Sequence, residues 1–175
     1  GWFSIADPKG YVLALAERFR AQGGTILQAE VTGLQPQDGV VYIQTTGETL
    51  TAAKVVIAAG AFSHRIAATL GEKIPLETER GYNTTLPVSA FDLKRQLTFG
   101  GHGFVVTPLS CGVRVGGAVE LAGLDAPPNY ERSEVLLAKA KRFMPGLATE
   151  GGTQWMGFRP SLPDSLPAIG PAARD

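Results

Sequence analysis

One arginine stands where chemistry could be done. Arg159 lies in the run Trp155-Met156-Gly157-Phe158-Arg159-Pro160-Ser161-Leu162-Pro163-Asp164, which is apolar, aromatic and rich in proline. A guanidinium stays charged at any ordinary pH and presents a planar fork of donors that meets a carboxylate two-on-two. Flanked by Trp155 and Phe158, it suits a clamp for a small organic acid; the plain alternative is an arginine that ends a strand in a salt bridge. Tyr82 offers a phenol able to bond a carboxylate or an amine, although a tyrosine opening a strand also serves as a half-buried packing residue. His102, in Gly100-Gly101-His102-Gly103, sits on a turn that either faces a cleft or is simply solvated.

Other chemistries find little support. His64 and His102 are far apart, Cys111 is the only cysteine and no carboxylates cluster, so no zinc-ligand pattern forms. Ser110 lacks the G-x-S-x-G elbow and Cys111 lacks a neighbouring base, which disfavours hydrolase or thiol chemistry. The 16 basic and 16 acidic residues are intermingled and cancel, leaving no electrostatic footprint for nucleic acid or an anionic membrane. A single cysteine forms no internal disulfide, which fits a reducing compartment and makes the cytoplasm the expected location. No run approaches the roughly 20 apolar residues of a membrane-spanning helix. At 175 residues and 44% apolar content the chain can bury a core.

The elements that must position these residues are legible in outline. Asp7-Pro8 reads as a helix start, with Asp7 as N-cap and Pro8 at the first helical position. Val12, Leu15, Ala16 and Phe19 form an apolar stripe expected to pack, and Gly23-Gly24 supplies the stop. Residues 25–32 and 40–46 read as strands. The continuous apolar run Val55-Val56-Ile57-Ala58-Ala59-Gly60 reads as a strand covered on both faces, as in a parallel sheet. Ser63 is placed to cap a short helix reaching Leu70. From Pro75 the pattern becomes successive short strands, at about 76–89, 96–99, 103–109 and 113–119, read as an antiparallel sheet. A second helix spans about 130–144, acidic early and basic late, with Leu136, Leu137, Ala140 and Phe143 as its buried stripe. A last strand at about 153–160 carries Arg159.

Four segments together resemble the D-amino-acid oxidase-like FAD-dependent oxidoreductases, a family that includes D-amino-acid dehydrogenases, glycine oxidase and sarcosine oxidase. The Arg159 segment is similar to the family's G-[FLY]-R-P…PD…P-[AIL]-[IL]-G. The helix from Asp7, followed by Gly23-Gly24-Thr25-Ile26-Leu27 and Ala29-Glu30-Val31, is similar to a stretch in which the residue matching Val31 meets the adenine of FAD through its backbone. Val55 to Ser63 resembles V-V-[IVL]-A-[AT]-G-A-[WF]-[ST], where the backbone at Ala59 and Gly60 runs past the dinucleotide. Arg80-Gly81-Tyr82 resembles the R-G-[YQ] that enters the substrate lobe.

The resemblance implies an α+β architecture: an antiparallel substrate-binding lobe with one covering helix at 75–163, part of an α/β FAD-binding domain at 1–74, and a return segment at 164–175. It implies oxidation of D-amino acids or glycine-like amines by hydride transfer from Cα to flavin. Arg159 would hold the carboxylate, with Tyr82 and His102 as further substrate-side candidates and Val31, Ala59 and Gly60 on the cofactor side. The G-x-G-x-x-G turn that grips the FAD pyrophosphate is absent from this sequence. The chain is therefore expected to be an internal portion of a longer enzyme, colourless and inactive alone, whose parent is cytoplasmic or attached peripherally to the inner membrane. Two alternatives stay open: a 2-hydroxy-acid dehydrogenase of the same family, and a non-catalytic module that binds small carboxylates.

Overall fold

The structure is a computed structural model, and it describes residues 5–172. The chain forms two compact units. The first gathers the residues up to Ile26, Arg80–Glu120 and Asp125–Gly157; the second gathers Leu27–Glu79, Leu121–Leu124 and the residues from Phe158 on.

In the first unit, helix α1 spans Pro8–Ala21. The Asp7 side chain accepts from Gly10 N at 2.9 Å, and Pro8 occupies the position where its missing N–H costs nothing. At the other end Gly23 takes a left-handed φ of 89°. Its N–H donates to Arg20 O and that of Gly24 donates to Phe19 O, the paired bonds of a Schellman cap. The apolar stripe behaves differently from its sequence pattern, because none of α1 is buried. Val12, Leu15 and Phe19 all stand exposed, since no element among the described residues lies over that face.

The sheet that organises this unit has five strands in the order β5-β6-β7-β4-β8. These are β4 (Glu77–Leu86), β5 (Leu97–Phe99), β6 (Phe104–Leu109), β7 (Gly112–Glu120) and β8 (Thr153–Ser161). The pairings of β5 with β6, β6 with β7 and β7 with β4 are antiparallel. Period-two alternation sends Leu86, Phe104, Val106, Val113 and Val115 to one face, where they pack with Leu136 and Ala140 of helix α3 (Glu131–Phe143) and with Met144 and Leu147 behind it. That face is the core. Leu137 and Phe99 pack against it from the edge. Near the end of β7 the register with β4 slips between Arg80 and Tyr82, and Ala118 takes a φ of 59°, the mark of a bulge.

The second unit holds a three-stranded antiparallel sheet, β1 (Val31–Gln37), β2 (Val40–Thr45) and β3 (Leu50–Ala52), with helix α2 (Ser63–Ala68) against β1. The Thr69 hydroxyl fastens that contact, accepting from Leu34 N at 3.1 Å.

Three local expectations change. Residues 25–30 lie outside any strand, and the ladder begins only at Val31. Residues 54–59 likewise pair with nothing in a sheet, and Val56 is 88% exposed. An apolar run codes for burial on both faces, but a strand needs a neighbouring backbone, and none of the described strands supplies one. Ser63 does not cap α2. A 3-10 turn at Gly60–Phe62 leads straight into the helix, so Ser63 is already helical and the N-cap is Phe62, without a side-chain bond. Among the described residues no helix is long and apolar enough to cross a membrane.

Candidate functional site

Arg159 lies exposed on β8, the strand at one edge of the five-stranded sheet. Two local ring contacts pack the backbone before it. In the first unit the Trp155 indole lies across Gly157, where any Cβ would collide with the ring. In the second, the Phe158 ring meets the edge of Phe62 at 5.7 Å between centroids. Pro160 follows and fixes the backbone beyond the guanidinium. The strand presents Arg159 rather than burying it.

The three cofactor-side candidates all fall in the second unit. Val31 opens β1 at a place where the register with β2 slips, between Val31 and Gly33. Ala59 precedes the 3-10 turn, and Gly60 begins it with a φ of 55°, a conformation that glycine adopts without strain. A Cβ placed on Gly60 would meet nothing within 4 Å, so the backbone there borders open space.

Tyr82 is placed differently from a ligand-facing phenol. It is 1% exposed, donates its hydroxyl proton to Glu120 Oε2 and accepts from Asn129 N at 3.0 Å. Its ring stands edge-on to Tyr130. Both capacities of the hydroxyl are used within the protein. His102 turns toward α3, its ring 4.4 Å from that of Phe143, while Lys139 Nζ donates to its carbonyl at 3.4 Å. His64 bonds Ala61 O at 3.0 Å at the start of α2.

Around Tyr82 is a polar cluster that sequence patterns alone do not reveal. Arg80 is 0% exposed; its Nη2 donates to Ala126 O at 2.8 Å and its Nη1 to Pro127 O at 3.1 Å, with Glu120 Oε2 at 3.8 Å. Arg132 of α3 reaches Glu120 Oε1 at 3.1 Å through Nε. Glu120 thus receives a phenol and two guanidinium groups. Its carboxyl is held below its ordinary 4.5, first by the Tyr82 hydrogen bond and then by Arg132 and Arg80, with burial opposing them. The cluster ties residues 126–132 to the middle of β4. Its one legible signal was Arg80-Gly81-Tyr82; Glu120 and Arg132 become partners only through the register of β7 and the placement of α3.

The family model for FAD-dependent oxidoreductases matches residues 2–175 of this sequence. The chain belongs to that family. The chain is 38% identical to the D-amino-acid oxidase of Bradyrhizobium diazoefficiens over 95% of its own length and 41% of that protein. It is 32% identical to the glycine oxidase of Pseudomonas putida over 91% of this chain and 41% of the relative. It therefore spans about two fifths of the length of these relatives. The crystal structure of glycine oxidase from Geobacillus kaustophilus shares the fold, with a TM-score of 0.75 at 24% identity over 93% of this chain and 44% of that one.

FAD is the cofactor of the family. The open space beside Gly60 and the small side chains before it fit a backbone that lies against a dinucleotide. The chain contains an antiparallel sheet with one covering helix and, separately, a smaller mixed unit, in keeping with the α+β reading.

Proposed function

We propose that this chain is the substrate-binding portion, with part of the cofactor domain, of a flavoenzyme that oxidises small amino acids, with Arg159 holding the substrate carboxylate. The observation that carries the reading is the place of Arg159 on β8 among Trp155, packed over Gly157, and Phe158, packed against Phe62. Relatives named as a D-amino-acid oxidase and a glycine oxidase support an amine-bearing acid as substrate.

Bound FAD supplies the acceptor for the hydride equivalent that leaves Cα; the imino acid so formed hydrolyses to a 2-oxo acid and ammonia. The work of this chain is orientation. Arg159 fixes the acid by two parallel charge-assisted bonds, which leaves the Cα–H direction determined by the rest of the pocket. On the cofactor side, the backbone at Val31, Ala59 and Gly60 would hold FAD by close approach rather than by side-chain chemistry. Tyr82, buried beneath the Asn129 backbone, would serve the site by anchoring residues 126–132.

The test is anaerobic addition of D-amino acids, L-amino acids and 2-hydroxy acids to the intact flavoprotein that carries this chain, followed by its visible spectrum. Bleaching by D-amino acids or glycine is the expected result. Bleaching by hydroxy acids alone would replace the reaction class with alcohol oxidation, because a carboxylate clamp does not itself read amine against hydroxyl.

A further inference from the structure

Between the end of β7 and the start of α3 the chain runs from Leu121 to Tyr130 without helix or strand. Both ends of this connection are held by side chains that meet at one carboxylate. At the leading end, Arg132 Nε donates to Glu120 Oε1 at 3.1 Å and its Nη1 donates to Val119 O at 3.4 Å. At the far end, Arg80 donates to Ala126 O at 2.8 Å and to Pro127 O at 3.1 Å, and the Tyr82 hydroxyl accepts from Asn129 N at 3.0 Å. Tyr82 in turn donates to Glu120 Oε2, which lies 3.8 Å from Arg80 Nη1. Asn129 extends the linkage into α3, because its Oδ1 accepts from Glu131 N at 3.2 Å.

One proton therefore reaches every part of the linkage. Glu120 is faced by Tyr82 and Arg80 of β4 and by Arg132 of α3. Phenol and guanidinium groups keep their protons throughout the acid and neutral range, so within this cluster the carboxyl is the group that titrates. Protonation removes the negative charge that the two guanidiniums share, and so weakens the hold of Arg80 and Tyr82 on residues 126–129. The apolar core stands apart from this event. None of Arg80, Tyr82, Glu120 and Arg132 belongs to the cluster of Leu86, Val106, Val115, Leu136 and Ala140 beneath α3. None of residues 121–130 is buried either, and a stretch with few apolar contacts opens locally before the fold is lost.

We propose that Glu120 is an acid-sensitive latch: as a carboxylate it holds residues 125–132 to β4, and on taking a proton it releases them while the sheet and its core stay folded. The latch does not depend on the role given to Arg159. Because the Tyr82 bond first, and then Arg132 and Arg80, hold the carboxyl below its ordinary 4.5 against the effect of burial, the latch is closed at neutral pH. It opens as pH falls below that value.

The experiment is hydrogen–deuterium exchange, read by mass spectrometry, on the intact flavoprotein that carries this chain, with rates corrected for the pH dependence of intrinsic exchange. Peptides spanning residues 125–132 report the latch through the Asn129 and Glu131 amides, and peptides from β6 report the sheet. At neutral pH Glu120→Gln should speed exchange in 125–132 at least about tenfold, the loss of one charge-assisted hydrogen bond, and leave β6 unchanged. In the parent protein the same peptides should open ahead of β6 as pH falls below 4.5. Arg132→Gln alters a side chain that is 39% exposed and should give an intermediate rise at neutral pH. Should Glu120→Gln fail to fold, the acid series on the parent protein and Arg132→Gln decide the matter. Unchanged exchange of 125–132 in folded Glu120→Gln, or in the parent protein down to the pH at which β6 opens, overturns the latch. A rise shared equally by β6 also overturns it, because Glu120 would then act on the global fold alone.

Discussion

Arg80 and Arg114 stand on neighbouring strands, β4 and β7, and their surroundings could hardly differ more. Arg80 is fully buried, bonded to two backbone carbonyls and within 3.8 Å of a carboxylate that also receives Tyr82 and Arg132. Arg114 is half-buried on the opposite face with one neutral hydroxyl as partner. Residue type is the same, so the difference lies in saturation. An arginine whose donors and charge are satisfied within the fold is part of its framework. One that meets a single neutral hydroxyl contributes less to that framework.

The contrast is sharpest when each arginine is removed. Arg80→Ala would strand Ala126 O, Pro127 O and part of the Glu120 charge in the interior, and should destabilise the chain by about 3–5 kcal/mol in urea unfolding. Tyr82→Phe keeps the ring but leaves Asn129 N–H and Glu120 without the hydroxyl. A loss of about 1–3 kcal/mol is expected, with near-normal secondary structure by circular dichroism.

The same cluster gives the fold a pH signature. Because the folded carboxyl of Glu120 is depressed below its ordinary 4.5, its contribution is fully present above that value and is lost as pH falls through the lower folded value. Unfolding midpoints measured across the acid range should therefore fall less steeply in Glu120→Gln than in the parent chain. Parallel acid limbs would show that Glu120 is not coupled to folding. The smallest effect belongs to the other region: Arg114→Gln should change stability by less than about 1 kcal/mol, since it removes one partly solvated bond to Thr85. A loss as large as that of Arg80→Ala would erase the distinction between the two arginines.

Much of this architecture could be read from the chain because its signals are local. Asp7-Pro8 and Gly23-Gly24 determine where α1 begins and ends with no help from the rest of the fold, and they do so as expected. The alternation along β4, β6 and β7 records one buried face, and α3 carries its stripe at Leu136 and Ala140. The failures share a cause. Val55 to Ala59 has strand composition, yet pairing is a relation between two backbones, and composition names only one. The stripe of α1 likewise specifies a face without specifying what covers it.

The candidate site divides along the same line. The candidate Arg159 was proposed from its neighbours in sequence, Trp155, Gly157 and Phe158, and these residues also pack around its strand. The role of Tyr82 turns on Glu120 and Asn129, 38 and 47 residues away, and so was readable only as a choice between ligand and packing. Arg114 meets Thr85 only through the antiparallel register of β4 and β7, a relation that no local pattern in the sequence records.

The central claim is that Arg159 orients the substrate acid in an FAD-dependent amino-acid oxidase or dehydrogenase. It is tested most directly by Arg159→Ala in the intact flavoprotein, with steady-state kinetics on the amino acid that bleaches the flavin and the flavin spectrum recorded alongside. A fall in kcat/KM of roughly 10- to 100-fold with an unchanged spectrum is the predicted result. Kinetics equal to those of the parent enzyme would contradict it.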